Sequence, residues 1–178
     1  KELPRRPSLA QCFFHLTLVF SFLNLAAASS WAIVVTNTND SGAGSLRQAI
    51  LDARSDPAAD VITFDPALFP ATISLLSLLP VLNGPGDTID GGGNVTLNAV
   101  NLTASTDHGI RIRAGNITIL GLTVQNFGGD GIRVQPNPAA LSGESGQTLT
   151  GILISDNNVT KNVDGIRVLR LQPIRLLV

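Results

Sequence analysis

One short phrase returns three times in the second half of the chain. It stands at 107–112 as Asp-His-Gly-Ile-Arg-Ile, and at 130–134 and 164–168 as Asp-Gly-Ile-Arg-Val. Its glycines, Gly109, Gly131 and Gly165, are 22 and then 34 residues apart. Between the phrases lie runs of three β-branched or aliphatic residues, bounded by Asn, Gly and Asp. This pattern is typical of very short strands joined by tight turns.

The recurrence predicts stacked repeats. A period in the low twenties with several strands per unit is typical of repeat folds in which each unit lies on the one before. The Leu-x-x-Leu-x-Leu pattern of leucine-rich repeats is absent, and no helical period runs between the strands. The sequence therefore predicts a parallel β-helix, in which equivalent strands pair in parallel. The alternative is an antiparallel meander with Asp-Gly hairpin turns, but a meander does not require the same residues to return at the same place.

Residues 1–32 are predicted to be a secretory signal peptide. Three basic side chains come first, and a mainly apolar run over 12–28 precedes a cluster of small residues. This order predicts cleavage after Ala28 or Ala32. The alternative is an uncleaved membrane anchor, for which the run is short. The single cysteine, Cys12, falls in this segment, so the exported part would have no disulfide.

Composition and charge limit the functions to consider. The chain has 178 residues, of which 14% are charged and 4% aromatic, and its net charge is -1. These values indicate one modest domain and argue against a nucleic-acid-binding protein. Beyond the signal segment, no membrane association is expected. The predicted location is secreted or cell-surface.

Residues 33–60 are predicted to form a strand and a capping helix. The segment 33–35 is apolar and β-branched, and a polar, turn-rich loop follows. Ser45 can then cap a helix that Pro57 stops. Such a helix can cover the first unpaired strand edge of a stack; the alternative is a helix on the side of another fold. Its apolar residues fall at helical spacing: Leu46, Ala49, Ile50 and Ala53.

A family resemblance rests on the same region. Residues 34–50, with the core Gly-Ser-Leu-Arg-Gln-Ala at 44–49, resemble the CSLREA-type N-terminal segment of secreted bacterial β-helix proteins. The segments 61–65 and 89–93 fit that family too, so the resemblance covers about residues 33–168. It implies an all-β fold, the right-handed parallel β-helix solenoid of the pectate-lyase-like kind with a short N-terminal capping helix. Members include polysaccharide-degrading enzymes and surface or adhesive proteins.

The resemblance also sets the expected domain organisation. The coils are expected over 61–168, following the strand and helix of 33–60. Residues 169–178 depart from the pattern, because they contain no Asn, Gly or Asp to turn the chain. This atypical tail is expected to mark a truncation or a lost reading frame, which would make the chain the N-terminal piece of a longer protein.

The repeated phrase also supplies the candidate binding residues. Strand alternation predicts that its aliphatic residues point inward and that Arg111, Arg133 and Arg167 point outward in a row. One interpretation is that each arginine pairs with the aspartate before it, at 107, 130 and 164. The other is a basic stripe, widened by Arg113, for an acidic polysaccharide or a host or cell-surface glycan, because guanidinium groups match carboxylates and sulfates.

Other candidate sites are weaker. No cofactor is predicted. Calcium is a minor possibility for the aspartate-rich turns, where Asp87 and Asp90 form a loose pair. His108 is interpreted as a lone surface histidine. The insertion 135–150, rich in Pro, Ser and Gly, is the one loop that would rim a binding groove; the alternative is a loop without function.

The predicted function is an exported, adhesin-like scaffold that binds extracellular polysaccharide. No catalytic constellation is visible in the sequence, so whether the chain is an enzyme is left open. The alternative is the front part of a polysaccharide lyase or glycoside hydrolase, whose catalytic coils would lie after Val178.

Overall fold

The computed structural model describes residues 32–55, 57–136 and 149–169. Within these ranges the chain forms ten strands, one α-helix and one 3₁₀ helix. In chain order they are β1 (Ala32–Val35), α1 (Leu46–Ser55), β2 (Val61–Phe64), the 3₁₀ helix (Pro66–Leu68), β3 (Ala71–Ser74), β4 (Thr88–Asn98), β5 (Ile110–Ile112), β6 (Thr118–Gln125), β7 (Asp130–Val134), β8 (Leu153–Ser155), β9 (Asn158–Thr160) and β10 (Asp164–Val168).

The strands form two parallel sheets. The larger has seven strands in the order β1-β2-β4-β6-β8, with β3 paired to β4 and β9 paired to β6. The smaller has three strands in the order β10-β7-β5. The long strands β4 and β6 each pair with two shorter strands on one side. Their mutual register shifts between Asp90 and Val95, where Gly92 and Gly93 take positive φ angles of 57° and 75°.

The three repeats pair with one another in the smaller sheet. Ile132 of β7 stands opposite Ile110 of β5 and Ile166 of β10, and the arginines that follow are paired in the same way. The prediction that equivalent strands pair in parallel is confirmed. Every strand pair in the described ranges is parallel, so the antiparallel meander is wrong there.

The predicted fold class, an all-β right-handed parallel β-helix solenoid, is wrong. The described residues are mixed, with 10% in helices and 41% in strands. The strands lie in two sheets of unequal size and do not form a clear solenoid. The helix α1 contributes four buried side chains to the same core as the strands. The physical reason is that the apolar face of α1 is buried as deeply as the inner faces of the strands. The helix is therefore part of the core and not a cap added to a stack of strands.

The core consists of aliphatic side chains that stand opposite one another. Ile62, Ile89 and Ile119 occupy paired positions on β2, β4 and β6, and each is at most 1% exposed. Burying such a side chain contributes roughly 1.5–3 kcal/mol. Alternation leaves the intervening residues on the outer face. The sheets are therefore rigid platforms for outward side chains.

The helix begins and ends as predicted. Ser45 Oγ accepts a hydrogen bond from the Gln48 N–H (3.2 Å), which satisfies one of the free donors at the helix N terminus. The four apolar residues predicted to face inward are the buried ones, and α1 ends at Ser55. The helix packs against β1, the edge strand of the larger sheet.

Several predictions fall outside the described residues. They are the signal peptide over residues 1–31, most of the insertion (137–148) and the tail from residue 170. Among the described elements, no helix has the length and apolar character needed to span a membrane.

Candidate functional site

The three arginines of the repeated phrase form a row on the outer face of the smaller sheet. Arg111 stands opposite Arg133, and Arg133 stands opposite Arg167. Neighbouring strands are about 4.8 Å apart, which sets the spacing of the row. The predicted alignment is therefore confirmed. Like charges at this spacing repel unless something neutralises them.

One buried carboxylate contacts two of the three arginines. Asp130, whose side chain is 2% exposed, accepts a hydrogen bond from Arg133 Nη1 (2.7 Å). Its other oxygen lies 3.7 Å from Arg167 Nη1, and Asp164 lies 3.3 Å from the same nitrogen. The predicted pairing of each arginine with the preceding aspartate is thus confirmed for the second and third repeats. It is wrong for the first, because Asp107 instead accepts from the backbone N–H of Ala104 (2.9 Å).

Arg111 is the member of the row that has no carboxylate. Its Nη2 donates to the carbonyl oxygen of Leu79 (2.6 Å), and in the described ranges no acidic oxygen lies within 4 Å of its guanidinium. Its Nε is buried without a hydrogen-bond partner. Burial, and secondarily the charge of Arg113, lower the pKa of Arg111 from its ordinary value.

A pocket of about 170 Å³ opens beside Arg111. Arg113 projects into it from the residue after β5, and its side chain makes no ion pair with a described carboxylate. On the β7 side, Arg133 Nε donates to Gln135 Oε1 (3.0 Å), which holds both side chains at the rim. The lining residues are His108, Arg111, Ile112, Arg113, Arg133 and Gln135.

His108 forms the inner wall of the pocket. Its side chain is 15% exposed, and Nδ1 lies 3.3 Å from Asp130 Oδ2. Nδ1 also accepts from the Asp130 backbone N–H (2.9 Å), and Nε2 lies 3.1 Å from Arg133 Nη1. The interpretation of His108 as a lone surface histidine is therefore wrong. It is a half-buried member of a charged network.

This environment favours the neutral form of His108. An imidazolium ring would direct one N–H toward the Asp130 backbone donor and the other toward the Arg133 guanidinium, whereas a neutral ring has a lone pair for one of them. Burial lowers the pKa of His108 below 6.5, and Arg133 lowers it further. Asp130 acts in the opposite direction and does not outweigh them.

The pocket has the chemistry of an anion site. Arg133 is compensated by Asp130, whereas Arg111 and Arg113 bring two positive charges that no described carboxylate compensates. Guanidinium groups bind carboxylates and sulfates through pairs of N–H donors. Metal binding has less support, because the described residues contain no group of three or more His, Cys, Asp or Glu side chains able to hold an ion. Asp90 of the predicted calcium pair accepts from the Gly92 N–H (2.9 Å) in its own turn.

Sequence reasoning placed the arginine row and suggested Arg113, but it missed Gln135 and the place of His108 in the pocket. Arg113 and Gln135 lie two residues after Arg111 and Arg133, so alternation puts all four on the same face. That rule suggested Arg113 and would also have found Gln135. Nothing in the sequence showed that His108 packs under the neighbouring repeat, because the contact depends on the stacking of β5 on β7.

Comparison with known proteins does not assign this chain to a family. No family model matches its sequence, and no curated protein is significantly similar to it.

Proposed function

We propose that the chain is an exported protein, secreted or held at the cell surface, that binds an acidic polysaccharide on its arginine-lined face. The observation that supports this most directly is the pair Arg111 and Arg113, which line a pocket with no described carboxylate to neutralise them. Export is supported by the signal-like order of residues 1–32. The resemblance of residues 34–50 to the opening segment of exported bacterial repeat proteins agrees with it.

A polymer suits this face better than a free small anion. Arg133 lines the pocket and Arg167 continues the basic row beyond it on the next strand, so several charged groups of one chain can be bound together. Arg167, 51% exposed at its side chain, is accessible to a large partner. Exposed charges of this kind bind through interactions that salt screens.

The test is retention of the full chain on immobilised acidic polysaccharides. Polygalacturonate supplies carboxylates, dextran sulfate supplies sulfates, and plain dextran is the neutral control. The variant is R111Q/R113Q. Neither arginine pairs with a described carboxylate, so the two substitutions leave no described buried carboxylate without its partner. The matched control is R54Q, which removes an exposed arginine from α1.

We expect retention on an acidic matrix at low salt that disappears in about 1 M salt, where the Debye length is about 3 Å. R111Q/R113Q should bind at least about tenfold more weakly, which corresponds to about 1.4 kcal/mol. R54Q should bind like the unmodified chain. Equal retention of both variants would refute the proposed surface. Assaying the eluate for shortened polysaccharide tests the alternative, a lyase or hydrolase.

A further inference from the structure

Charged groups surround the ring of His108 in the wall of the pocket. Asp130 is the carboxylate that the ring faces, and Arg133 lies against both. Arg111 and Arg167 add positive charge to the surroundings of the ring from β5 and β10. The two pocket arginines without a carboxylate, Arg111 and Arg113, are the groups that an incoming anion would neutralise.

We propose that the pocket binds one anionic group, a carboxylate or a sulfate, between Arg111 and Arg113, and that His108 takes up a proton when this group enters. The inference rests on the proposed function, because it assigns the contact made by one charged group of the polymer. The proton comes from solvent and adds to Nδ1, the ring nitrogen that accepts the Asp130 backbone N–H in the empty state. That hydrogen bond breaks, the new N–H donates to Asp130 Oδ2, which lies 3.3 Å from Nδ1, and the ring charge changes from 0 to +1.

The size of the pocket sets the size of the ligand group. Its volume of about 170 Å³ is below the roughly 300–1,000 Å³ of sites that enclose a drug-sized molecule. It has room for one charged substituent with part of its sugar ring. The remainder of a polymer would lie outside, along Arg133 and Arg167.

Electrostatics gives the direction of the coupling. In the empty pocket, the arginine charges disfavour a further positive charge on His108. An anion between Arg111 and Arg113 offsets the part of that repulsion that comes from Arg111 and attracts the imidazolium directly. The pKa of His108 is therefore higher with the anion bound than without it.

Linkage turns this into a pH dependence of binding. His108 has a lower pKa in the empty pocket and a higher pKa in the anion-bound pocket. At a pH between these two values, His108 takes up a proton when the anion binds, so the affinity for the anion rises as the pH falls. Below the pKa of the empty state, the ring is protonated in both states and affinity levels off. The unbound pKa lies below 6.5, so affinity levels off at a pH below that value.

The experiment is an NMR titration of the histidine ring protons in the full chain between pH 4.5 and 8. The chain has two histidines, and H108N identifies the His108 signal by its loss. Sodium sulfate is the probe, because sulfate stays a dianion over this range, and sodium chloride of equal ionic strength corrects for screening. The two negative charges of sulfate, about 6 Å away at an effective dielectric constant of about 40, should raise the pKa of His108 by about 2.

The controls locate the effect. R113Q should abolish the sulfate-induced rise, and R54Q should preserve it. A missing rise in the unmodified chain, or an equal rise in R113Q, would overturn the inference. Sulfate coupling that depends on Arg113, without retention on any polysaccharide, would support the pocket and refute the polysaccharide function. Retention that R111Q/R113Q weakens, without a sulfate-dependent pKa change, would support that function and refute the proton coupling.

Discussion

At the scale of single residues, the glycines of the repeated phrase matter for the space they leave. A Cβ on Gly109 would overlap the carbonyl oxygen of Gly131 on the next repeat and lie 2.9 Å from the ring of Phe127. A Cβ on Gly165 would meet nothing within 4 Å in the described structure. Neither glycine has a positive φ angle. The phrase therefore contains Gly109 because the next repeat packs closely on it, and not because of a special turn.

Alanine substitution tests this account with an internal control. Gly109→Ala should destabilise the fold by about 1–3 kcal/mol, since a backbone oxygen cannot move aside cheaply. Gly165→Ala should leave stability unchanged or raise it by up to about 1 kcal/mol, because it restricts the unfolded chain. Urea denaturation of both variants measures the difference. Equal free energies of unfolding would contradict the close-packing explanation.

Ion pairs were predicted correctly only where the two partners are close in sequence. Arg133 and Asp130 are three residues apart and meet as predicted. Arg111 and Asp107 are four apart, with His108 inserted between Asp and Gly, and they do not pair. The contact of His108 with Asp130 spans 22 residues. It required the strand register, which the sequence gives only as a hypothesis.

At the scale of elements, α1 is tied to the loops around it by Arg47. This arginine donates from Nε to the Asp40 carbonyl and from Nη2 to the Asp40 carboxylate, both at 2.8 Å. It also donates to the carbonyl oxygens of Leu78 (2.5 Å) and Ser77 (2.9 Å). One side chain thus joins the helix, the loop before it and the loop after β3. Within residues 44–49, Arg47 therefore has a structural role, since it holds two loops against α1.

Arg47→Lys should destabilise the chain by about 1–3 kcal/mol, because one ammonium group cannot reach four acceptors in fork geometry. Arg54→Lys, an exposed change in the last turn of the same helix, should cost less than about 0.5 kcal/mol. Thermal and urea unfolding of the two variants give the comparison. A similar loss in both would show that Arg47 acts through helix propensity alone.

Asp40, the carboxylate that pairs with Arg47, should make the stability of the fold depend on pH in the acid range. Burial alone would raise the pKa of Asp40, but hydrogen bonds from the Leu76 N–H and Arg47 outweigh it and lower the pKa below 3.8. The ionised carboxylate therefore stabilises the folded state above about pH 4, and this contribution is lost as the pH falls through the folded-state pKa. Asp40→Asn should flatten this part of a plot of unfolding free energy against pH between 2 and 5. An unchanged slope would contradict the assignment.

Element boundaries were predicted less well than element types. Residues 88–89 and 95–97 are two β-branched or aliphatic runs with three glycines between them, the pattern of two short strands, yet both lie in the eleven-residue strand β4. Gly91–93 bends β4 without ending it, since both halves remain paired with β6. A run of three glycines normally indicates a turn. Pairing with neighbouring strands overrode that local preference.

At the scale of the whole molecule, burial decreases toward β10. Ile132 of β7 is 0% exposed, whereas its register partner Ile166 of β10 is 50% exposed. The reason is that β7 lies between two strands and β10 pairs with β7 alone in the described structure. The same sequence phrase therefore contributes differently to stability according to its position in the sheet.

Aspartate substitutions measure this difference. Ile132→Asp should abolish cooperative unfolding, because a carboxylate would be buried among aliphatic side chains. Ile166→Asp should retain a cooperative transition, since its side chain is half exposed. Circular dichroism melts of both variants provide the test. Cooperative melting of Ile132→Asp would show that this position is not in the core.

The prediction of the fold class was wrong because the repeats cover only part of the chain. Repetition in residues 107–168 predicted local pairing correctly, but it does not describe residues 32–106. There α1 and β1–β4 contribute to the core without an evident repeat. The four buried residues of α1 gave a clear helical period, and the resemblance to a solenoid family placed that helix outside the main architecture. Local periodicity identified the elements, whereas their assembly depended on long-range packing.

The sharing of Asp130 among His108, Arg133 and Arg167 has a consequence for how this protein can evolve. Repeat arrays commonly change length by duplication or loss of a unit, which is tolerated when each unit satisfies its own polar groups. Here three successive repeats depend on one buried carboxylate. Removing the middle unit would take away the backbone donor of His108 and leave Arg167 with Asp164 as its one described carboxylate, and copying it would bury a second aspartate that needs partners of its own. The three units are therefore expected to be inherited together, as a block that recombination cannot easily divide.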